Sequence, residues 1–361
     1  MIKFLHAADL HLDSPFHGLS PEKAAQRRQE QRQMLTDLAD LICSEKCDLV
    51  LLAGDLFDSE NAFPETVEAL CRALGSMDAR VFISPGNHDH LCGGSPYFTA
   101  NWPKNVHIFK ENTISSVVIP ELGCTVYGAG FGGSHCPKLL EGFRAEDDST
   151  VNFMVLHGDA ETAQSPYNPM TEAEISQSGL DYLALGHIHA KKLPKKAGKT
   201  LYGWPGCPMG RGFDELGEKG VFLGTADDDG VTASFFPLPG RRYEILEVAV
   251  GDDAASAIRE ALSPNTEQDI YRIRLVGSAE EVDLRALRAE FEHRFYALQL
   301  RDETVAKRDI WLSAGEDTLK GQFLEILQKQ AESAAGEEKA MLLMAARLGL
   351  AAMEGREEDA V

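Results

Sequence analysis

Short apolar runs recur through residues 1–190, and each breaks off into polar side chains. Ile2 to Leu5 leads into Asp9-Leu10-His11, Leu49 to Leu52 into Gly54-Asp55, and Val81 to Ile83 into Gly86-Asn87-His88-Asp89. Phe153 to Leu156 leads into His157, and Tyr182 to Leu185 into Gly186-His187-Ile188-His189. Runs this short and apolar predict buried strands that stop where the polar residues begin. Between them, Gln26 to Ile42 carries Met34, Leu35, Leu38, Leu41 and Ile42 at helical spacing, and Glu65 to Leu74 repeats the pattern more briefly. Strand, helix, strand predicts βαβ units: an α/β fold whose helices flank a sheet of much parallel character. The carboxyl ends of neighbouring strands then open onto one crevice, where the five motifs are expected to meet.

Past the breaker-rich Pro237-Leu238-Pro239-Gly240 the pattern changes. Tyr243 to Val250, Ile270 to Val276 and Ala297 to Leu300 read as strands, alternating with helices over Ala254 to Leu262 and Leu284 to Phe295. Further on, Leu319, Phe323, Ile326 and Leu327 make one helical stripe, and Met341, Met344, Ala345 and Leu348 make another after a break at Gly336. The expected organisation is a catalytic domain over 1–240, a small α/β module over 241–312 without catalytic residues, and a helical segment over 313–361. The two stripes are expected to pack on each other or on the host domain; the alternative is a partner helix.

The side chains at the strand ends suit divalent cations. Asp9, His11, Asp55, Asn87, His157, His187 and His189 offer oxygen and imidazole nitrogen, a set that fits Mn²⁺, Fe²⁺ or Zn²⁺ better than a soft thiolate metal. Seven donors exceed what one tetrahedral ion takes and suffice for two. A pair of ions about 3.5–4 Å apart clamps the attacking and leaving oxygens of a phosphoryl displacement. Taken singly, each motif is as easily a turn or a polar loop. Their joint occurrence, each time after an apolar run, points to phosphoester hydrolysis.

The order Asp9-x-His11, Gly54-Asp55-x-x-Asp58, Gly86-Asn87-His88-Asp89, His157, Gly186-His187-x-His189 resembles the calcineurin-like metallophosphoesterase superfamily. Within it, the likeness is to the DNA repair exonuclease branch, the SbcD type and especially the YhaO type. The opening Asp9-Leu10-His11-Leu12-Asp13-Ser14-Pro15-Phe16 followed by Gly18-Leu19 carries it, as does the glycine-rich stretch from Tyr202 to Val221. The resemblance covers about residues 1–225 and implies a division of labour. Asp9, His11 and His189 would hold one metal, Asn87, His157 and His187 the other, and Asp55 would bridge both. His88 would protonate the departing sugar oxygen, with Asp89 orienting it. Asp58 departs from the archaeal and eukaryotic relatives, which tend to place His there. The resemblance further implies two Mn²⁺ ions, DNA as substrate, 3′ to 5′ exonuclease action with single-strand endonuclease activity, a capping domain, a homodimer, and a coiled-coil ATPase partner of the SbcC or YhaN kind.

Charge complicates that reading. A formal net charge of −22 opposes binding to a polyanion. Lys191 and Lys192, in a lysine cluster after His189, and Arg211 are the candidate phosphate contacts, whereas Arg27, Arg28 and Arg32 read as the exposed face of the first helix. Hydrolysis of small phosphodiesters, nucleotides or phosphoproteins is the first alternative, and a non-enzymatic scaffold the second. His6 reads as a hydrogen-bonded structural residue, and His17, His90, His107, His135 and His293 lack partners at metal spacing. Seven scattered cysteines do not form a disulfide framework, and no run approaches the about 18 apolar residues of a membrane span. With no signal peptide legible at the amino terminus, a cytoplasmic, membrane-free protein is the expectation.

Overall fold

A computed structural model describes residues 1–147, 149–227, 229–251, 253–279, 282–306 and 310–353; the end of the expected tail, 354–361, lies outside them. The chain forms two compact units. The first takes Met1–Leu246, Ser263–Arg272 and Phe291–Gln299, and the second takes Glu247–Leu262, Ile273–Glu290 and Leu300–Val361.

The first unit begins β1 (Ile2–Ala7), α1 (Pro21–Glu45), β2 (Leu49–Leu52), α2 (Pro64–Gly75), β3 (Arg80–Ile83), α3 (Pro96–Thr99) and β4 (Val106–Ile108). It continues with β5 (Ser115–Ile119), β6 (Cys124–Gly128), β7 (Val151–His157), α4 (Glu172–Gln177), β8 (Tyr182–Gly186) and β9 (Lys192–Ala197). Then come β10 (Thr200–Trp204), β11 (Gly220–Asp227) and β12 (Gly230–Pro237). These strands make two six-stranded sheets rather than one, ordered β12-β11-β1-β2-β3-β4 and β5-β6-β7-β8-β10-β9. β1 to β4 pair in parallel, and so do β6, β7, β8 and β10; the antiparallel strands lie toward the edges.

Strands that are apolar on both faces explain why one sheet does not suffice. Phe4, Leu49, Leu51 and Phe82 of the first sheet pack against Val126, Phe153, Val155, Tyr182 and Ala184 of the second, forming a core between the sheets. The alternate residues Leu5, Ala7, Val50, Leu52, Val81 and Ile83 face Leu35, Leu38, Ile42, Leu70 and Leu74 of α1 and α2. On the far side, Met154, Leu156, Leu183 and Leu185 cover Ile175 of α4. Truncating a fully buried aromatic such as Phe4 to alanine would cost about 3–5 kcal/mol.

Helix α1 starts where Ser20 accepts a hydrogen bond from the Lys23 amide and Pro21 presets the first turn, and it stops at Lys46 in the left-handed conformation. Its buried stripe extends to two polar residues, Arg27 and Gln31. Arg27 is therefore not on an exposed face: it is 0% exposed, its guanidinium donating to the Gly210 carbonyl at 2.9 Å and pairing with Glu30. Of the lysines clustered after His189, Lys192, Lys195 and Lys196 lie on a strand and Lys199 in the turn that follows it. Lys192 to Ala197 is the edge strand β9, where charge discourages pairing with another chain.

The remaining elements are β13 (Tyr243–Val250), α5 (Ala254–Ala261), β14 (Ile270–Ala279), α6 (Leu284–Phe291), β15 (Ala297–Asp302), β16 (Val305–Ala306), α7 (Leu319–Ser333) and α8 (Gly336–Met353). β13, β14 and β15 neighbour one another in that order, and β16 pairs with β14. In the second unit α7 and α8 pack together, so closely that a Cβ on Gly349 would overlap the Phe323 ring. The packed faces carry Leu324, Ala331 and Ala346, whereas Leu319, Ile326, Met341, Met344 and Leu348 of the expected stripes are exposed. Both helices have apolar residues around much of their circumference, so spacing alone does not choose the buried face. No helix among the described residues is long and apolar enough to cross a membrane.

Candidate metal centre

All five predicted motifs lie at the carboxyl ends of their strands: β1, β2 and β3 in the first sheet, β7 and β8 in the second. The loops leaving β1 and β2 run side by side, with the amides of Asp9 and His11 donating to the carbonyls of Gly54 and Asp55 at 3.0 and 2.9 Å. Asp9, His11, Asp55 and His187 all have positive φ, at 54°, 43°, 50° and 97°. Each such residue costs about 1–3 kcal/mol in backbone strain, and strain of this kind gathers at functional sites. The sheets are tied here by the His187 amide, which donates to Asp9 Oδ1 at 3.0 Å, and by His157 Nδ1, which lies 2.9 Å from the Ala53 carbonyl. The loop after β3 approaches closely only because Gly86 has no side chain; a Cβ there would overlap Asp55 Oδ1.

The seven predicted donors come together. Donor atoms of Asp9, His11, Asp55 and His189 lie within 4.8 Å of one another. Asp55 Oδ2 stands 3.7 Å from His11 Nε2 and 3.4 Å from His157 Nε2. Asn87 Oδ1 in turn is 2.9 Å from His157 Nε2 and 3.3 Å from His187 Nδ1. Asp55 thus sits between two groups, Asp9, His11 and His189 on one side and Asn87, His157 and His187 on the other.

The protons of these imidazoles test whether cations fit. His11 Nδ1 lies 3.1 Å from Asp58 Oδ1, His189 Nδ1 2.8 Å from Glu215 Oε1, and His157 Nδ1 next to the Ala53 carbonyl. Each acceptor takes the ring N–H and leaves a lone pair on Nε2, the usual arrangement for a metal-binding histidine. The Nε2 atoms of His11 and His189 then face each other at 3.1 Å, and the His157 lone pair points at Asn87 and Asp55 oxygens. Converging lone pairs repel unless positive charge lies between them, so the donor set fits two divalent ions. Burial pushes His11 down against its Asp58 bond, and burial with neighbouring His157 brings His187 to about 4. Burial raises Asp9, whereas Asp55, despite burial, is held below its ordinary value by His157 and His11. Of these imidazoles His11 and His187 are thereby held neutral and available as ligands near pH 7, whereas the Glu215 carboxylate, working against burial, shifts His189 upward.

The residues around the ligands differ in part from expectation. Asp89 does not orient His88. Its carboxylate is fully buried and accepts from the amides of Gly86, Leu56 and Phe57 and from the Tyr97 hydroxyl, so it fixes the loops after β2 and β3. His88 is exposed, with Nδ1 3.2 Å from the Asp58 carbonyl and its amide donating to Asp55 Oδ1 at 2.9 Å. Arg211 donates to Asp58 at 3.0 Å and to Glu215, its guanidinium thus engaged by two carboxylates. The Lys192 ammonium pairs with Glu161 at 3.2 Å, and that of Lys191 stands 4.0 Å over the Phe235 ring. His6 bonds Tyr182 and the Leu185 carbonyl and takes no place among the donors.

Glu215 escaped the sequence reading. It is only 3% exposed, and although burial works the other way, His189 and Arg211 hold its carboxyl well below the usual range. Nothing local marks it beyond its place four residues after Arg211. Tyr97, which bonds Asp89, is likewise set by tertiary contact alone.

A family model described as calcineurin-like phosphoesterase matches residues 2–191. The chain is 30% identical over 337 residues to a Bacillus subtilis (strain 168) protein named uncharacterized metallophosphoesterase YhaO, the match covering 86% of this chain and 80% of that one. Among solved structures it is similar to TT1561 of Thermus thermophilus, at 14% identity and a TM-score of 0.41 over 65% of this chain and 98% of that one.

Proposed function

The chain belongs to the calcineurin-like phosphoesterase family, and from that premise we propose that it is a metal-dependent phosphodiesterase acting on DNA, a 3′ to 5′ exonuclease with single-strand endonuclease activity. One observation carries the phosphoesterase chemistry: imidazole lone pairs and carboxylates converge on both sides of Asp55, beside an exposed imidazole, His88. Bound there, two Mn²⁺ ions would supply Lewis acidity at the phosphoryl group and ease deprotonation of the attacking water. Asp9, His11 and His189 would hold one ion in this reading and Asn87, His157 and His187 the other, with Asp55 contributing to both. His88 donates its Nδ1–H to the Asp58 carbonyl, and in its doubly protonated imidazolium form the Nε2–H would pass to the departing sugar oxygen, leaving the ring neutral. Asp89 positions the loop that carries His88.

DNA as substrate is supported by the likeness of the motif order to repair exonucleases. A coiled-coil ATPase partner belongs to the same reading, with the exposed Leu319, Ile326, Met341 and Met344 as apolar surface for it. A second reading, hydrolysis of small phosphodiesters, is favoured by the net charge of −22 and by the engagement of Lys191, Lys192 and Arg211 within the protein. Mn²⁺-dependent degradation of end-labelled duplex DNA, measured beside a small aryl phosphodiester, separates the two. Wild type is expected to shorten DNA from its 3′ ends. His88→Ala is expected to lose about 10²–10⁴-fold on DNA and far less on the aryl ester, whose leaving group needs no proton. Hydrolysis of the small ester alone, even with ATP and a coiled-coil ATPase added, would overturn the DNA assignment in favour of the second reading.

A further inference from the structure

Beside the ligands, a cavity of about 490 Å³ opens within the first unit, inside the about 300–1,000 Å³ range of small-molecule sites. Asp58, Arg211 and Glu215 line one part of it, the groups that hold His11 and His189. Phe213, Arg272 and Gln299 line another. The two arginines are not equivalent. Arg211 is consumed by Asp58 and Glu215, which leaves it little to offer a substrate. Arg272 has only its Nε engaged, donating to Gln299 Oε1 at 2.6 Å, while its guanidinium lies 4.0 Å over the Phe213 ring. Among the described residues no acceptor meets its two terminal nitrogens. A guanidinium whose plane is fixed by a ring and whose inner nitrogen is tied presents its outer N–H groups as a rigid fork, which suits two oxygens of one phosphate.

We infer that Arg272, set by Phe213 and Gln299, binds the phosphate neighbouring the scissile one, so that the cavity holds one nucleotide unit of a polynucleotide strand whose next phosphodiester lies at the metal centre. The inference rests on the phosphodiesterase reading above and gives that site a preference for two consecutive phosphates. It also places the cationic contact in β14 rather than at Arg211, Lys191 or Lys192.

The test compares kcat/KM, with Mn²⁺ and the full chain, for a thymidine dinucleotide and the same dinucleotide carrying a terminal phosphate at its 5′ or its 3′ end. Wild type should favour the better phosphorylated form by about tenfold or more, the scale of a charge-assisted hydrogen-bonded pair. Arg272→Ala should bring that ratio to about one, mainly through KM, and Arg272→Lys should restore part of it. A structural defect would lower both rates together and leave the ratio standing. Retention of the wild-type ratio by Arg272→Ala, or no preference in a wild type that cleaves both dinucleotides, would overturn the inference alone. A wild type that hydrolyses an aryl phosphodiester but neither dinucleotide would overturn the nucleic-acid reading and the inference with it.

Discussion

Asp58 and Glu215 do for His11 and His189 what the ligands cannot do for themselves: each fixes a tautomer by accepting the Nδ1 proton. Partners of this kind typically govern metal affinity by 10- to 100-fold or so, about the weight of a ligand's own hydrogen bond. The ligands were legible in the sequence because each follows directly on an apolar run. Their partners were not, since Glu215 lies well beyond His189 along the chain and only the fold brings the two together. His6 shows the opposite case, an imidazole used for packing. Its Nε2 proton goes to the Leu185 carbonyl and its Nδ1 accepts from the Tyr182 hydroxyl, with the Phe222 ring at its side. Burial brings its pKa down to about 3. Between that value and its ordinary 6.5 the unfolded chain binds a proton that the folded chain refuses, so stability falls as pH falls through this window and is unaffected above it. His6→Gln removes one such proton. Chemical denaturation of both proteins between pH 4 and pH 6.5 should show the wild-type slope steeper by up to about 1.4 kcal/mol per pH unit. Parallel slopes would show that His6 is not buried neutral.

The strands and α1 and α2 follow from apolar runs and helical spacing, and the structure adds what spacing does not carry. Both faces of β1 to β3 and of β7 and β8 are apolar, which the sequence expresses only as continuous runs; that a second sheet rather than more helices covers one face is decided by tertiary packing. For the same reason the buried face of α7 and α8 lay open, with Ala331 and Ala346 at the contact and the larger Met341 and Met344 outside. Loop approach is where the elements make the site. Gly86→Ala keeps the core untouched but puts a methyl group onto Asp55 Oδ1, so the loop after β3 must retreat and take Asn87 with it. Calorimetric titration with Mn²⁺ should find at least about tenfold weaker binding in this variant, with an unfolding midpoint close to that of wild type. Unchanged affinity would mean that the loops after β2 and β3 need not touch.

For the whole molecule, the balance of charge matters most. The net charge of −22 includes Asp9 and Asp55, two buried carboxylates among the converging imidazoles, whose charge bound cations would offset. Family membership was readable because the motif order resembles that of the calcineurin-like phosphoesterases, and the α/β character of the fold because apolar runs alternate with helical spacing. Substrate was less readable, because it depends on groups such as Arg272 whose role follows from what surrounds them rather than from their neighbours in sequence. The division of the ligands into two groups depends on Asp55 standing between two ions. The direct test is the metal content of desalted protein loaded with Mn²⁺, for wild type and Asp55→Asn, beside circular dichroism to show that both are folded. Two ions per chain in wild type, with one or none in the variant, is the expected result. A folded wild type that holds a single ion or none, or an Asp55→Asn protein that keeps two, would contradict the account.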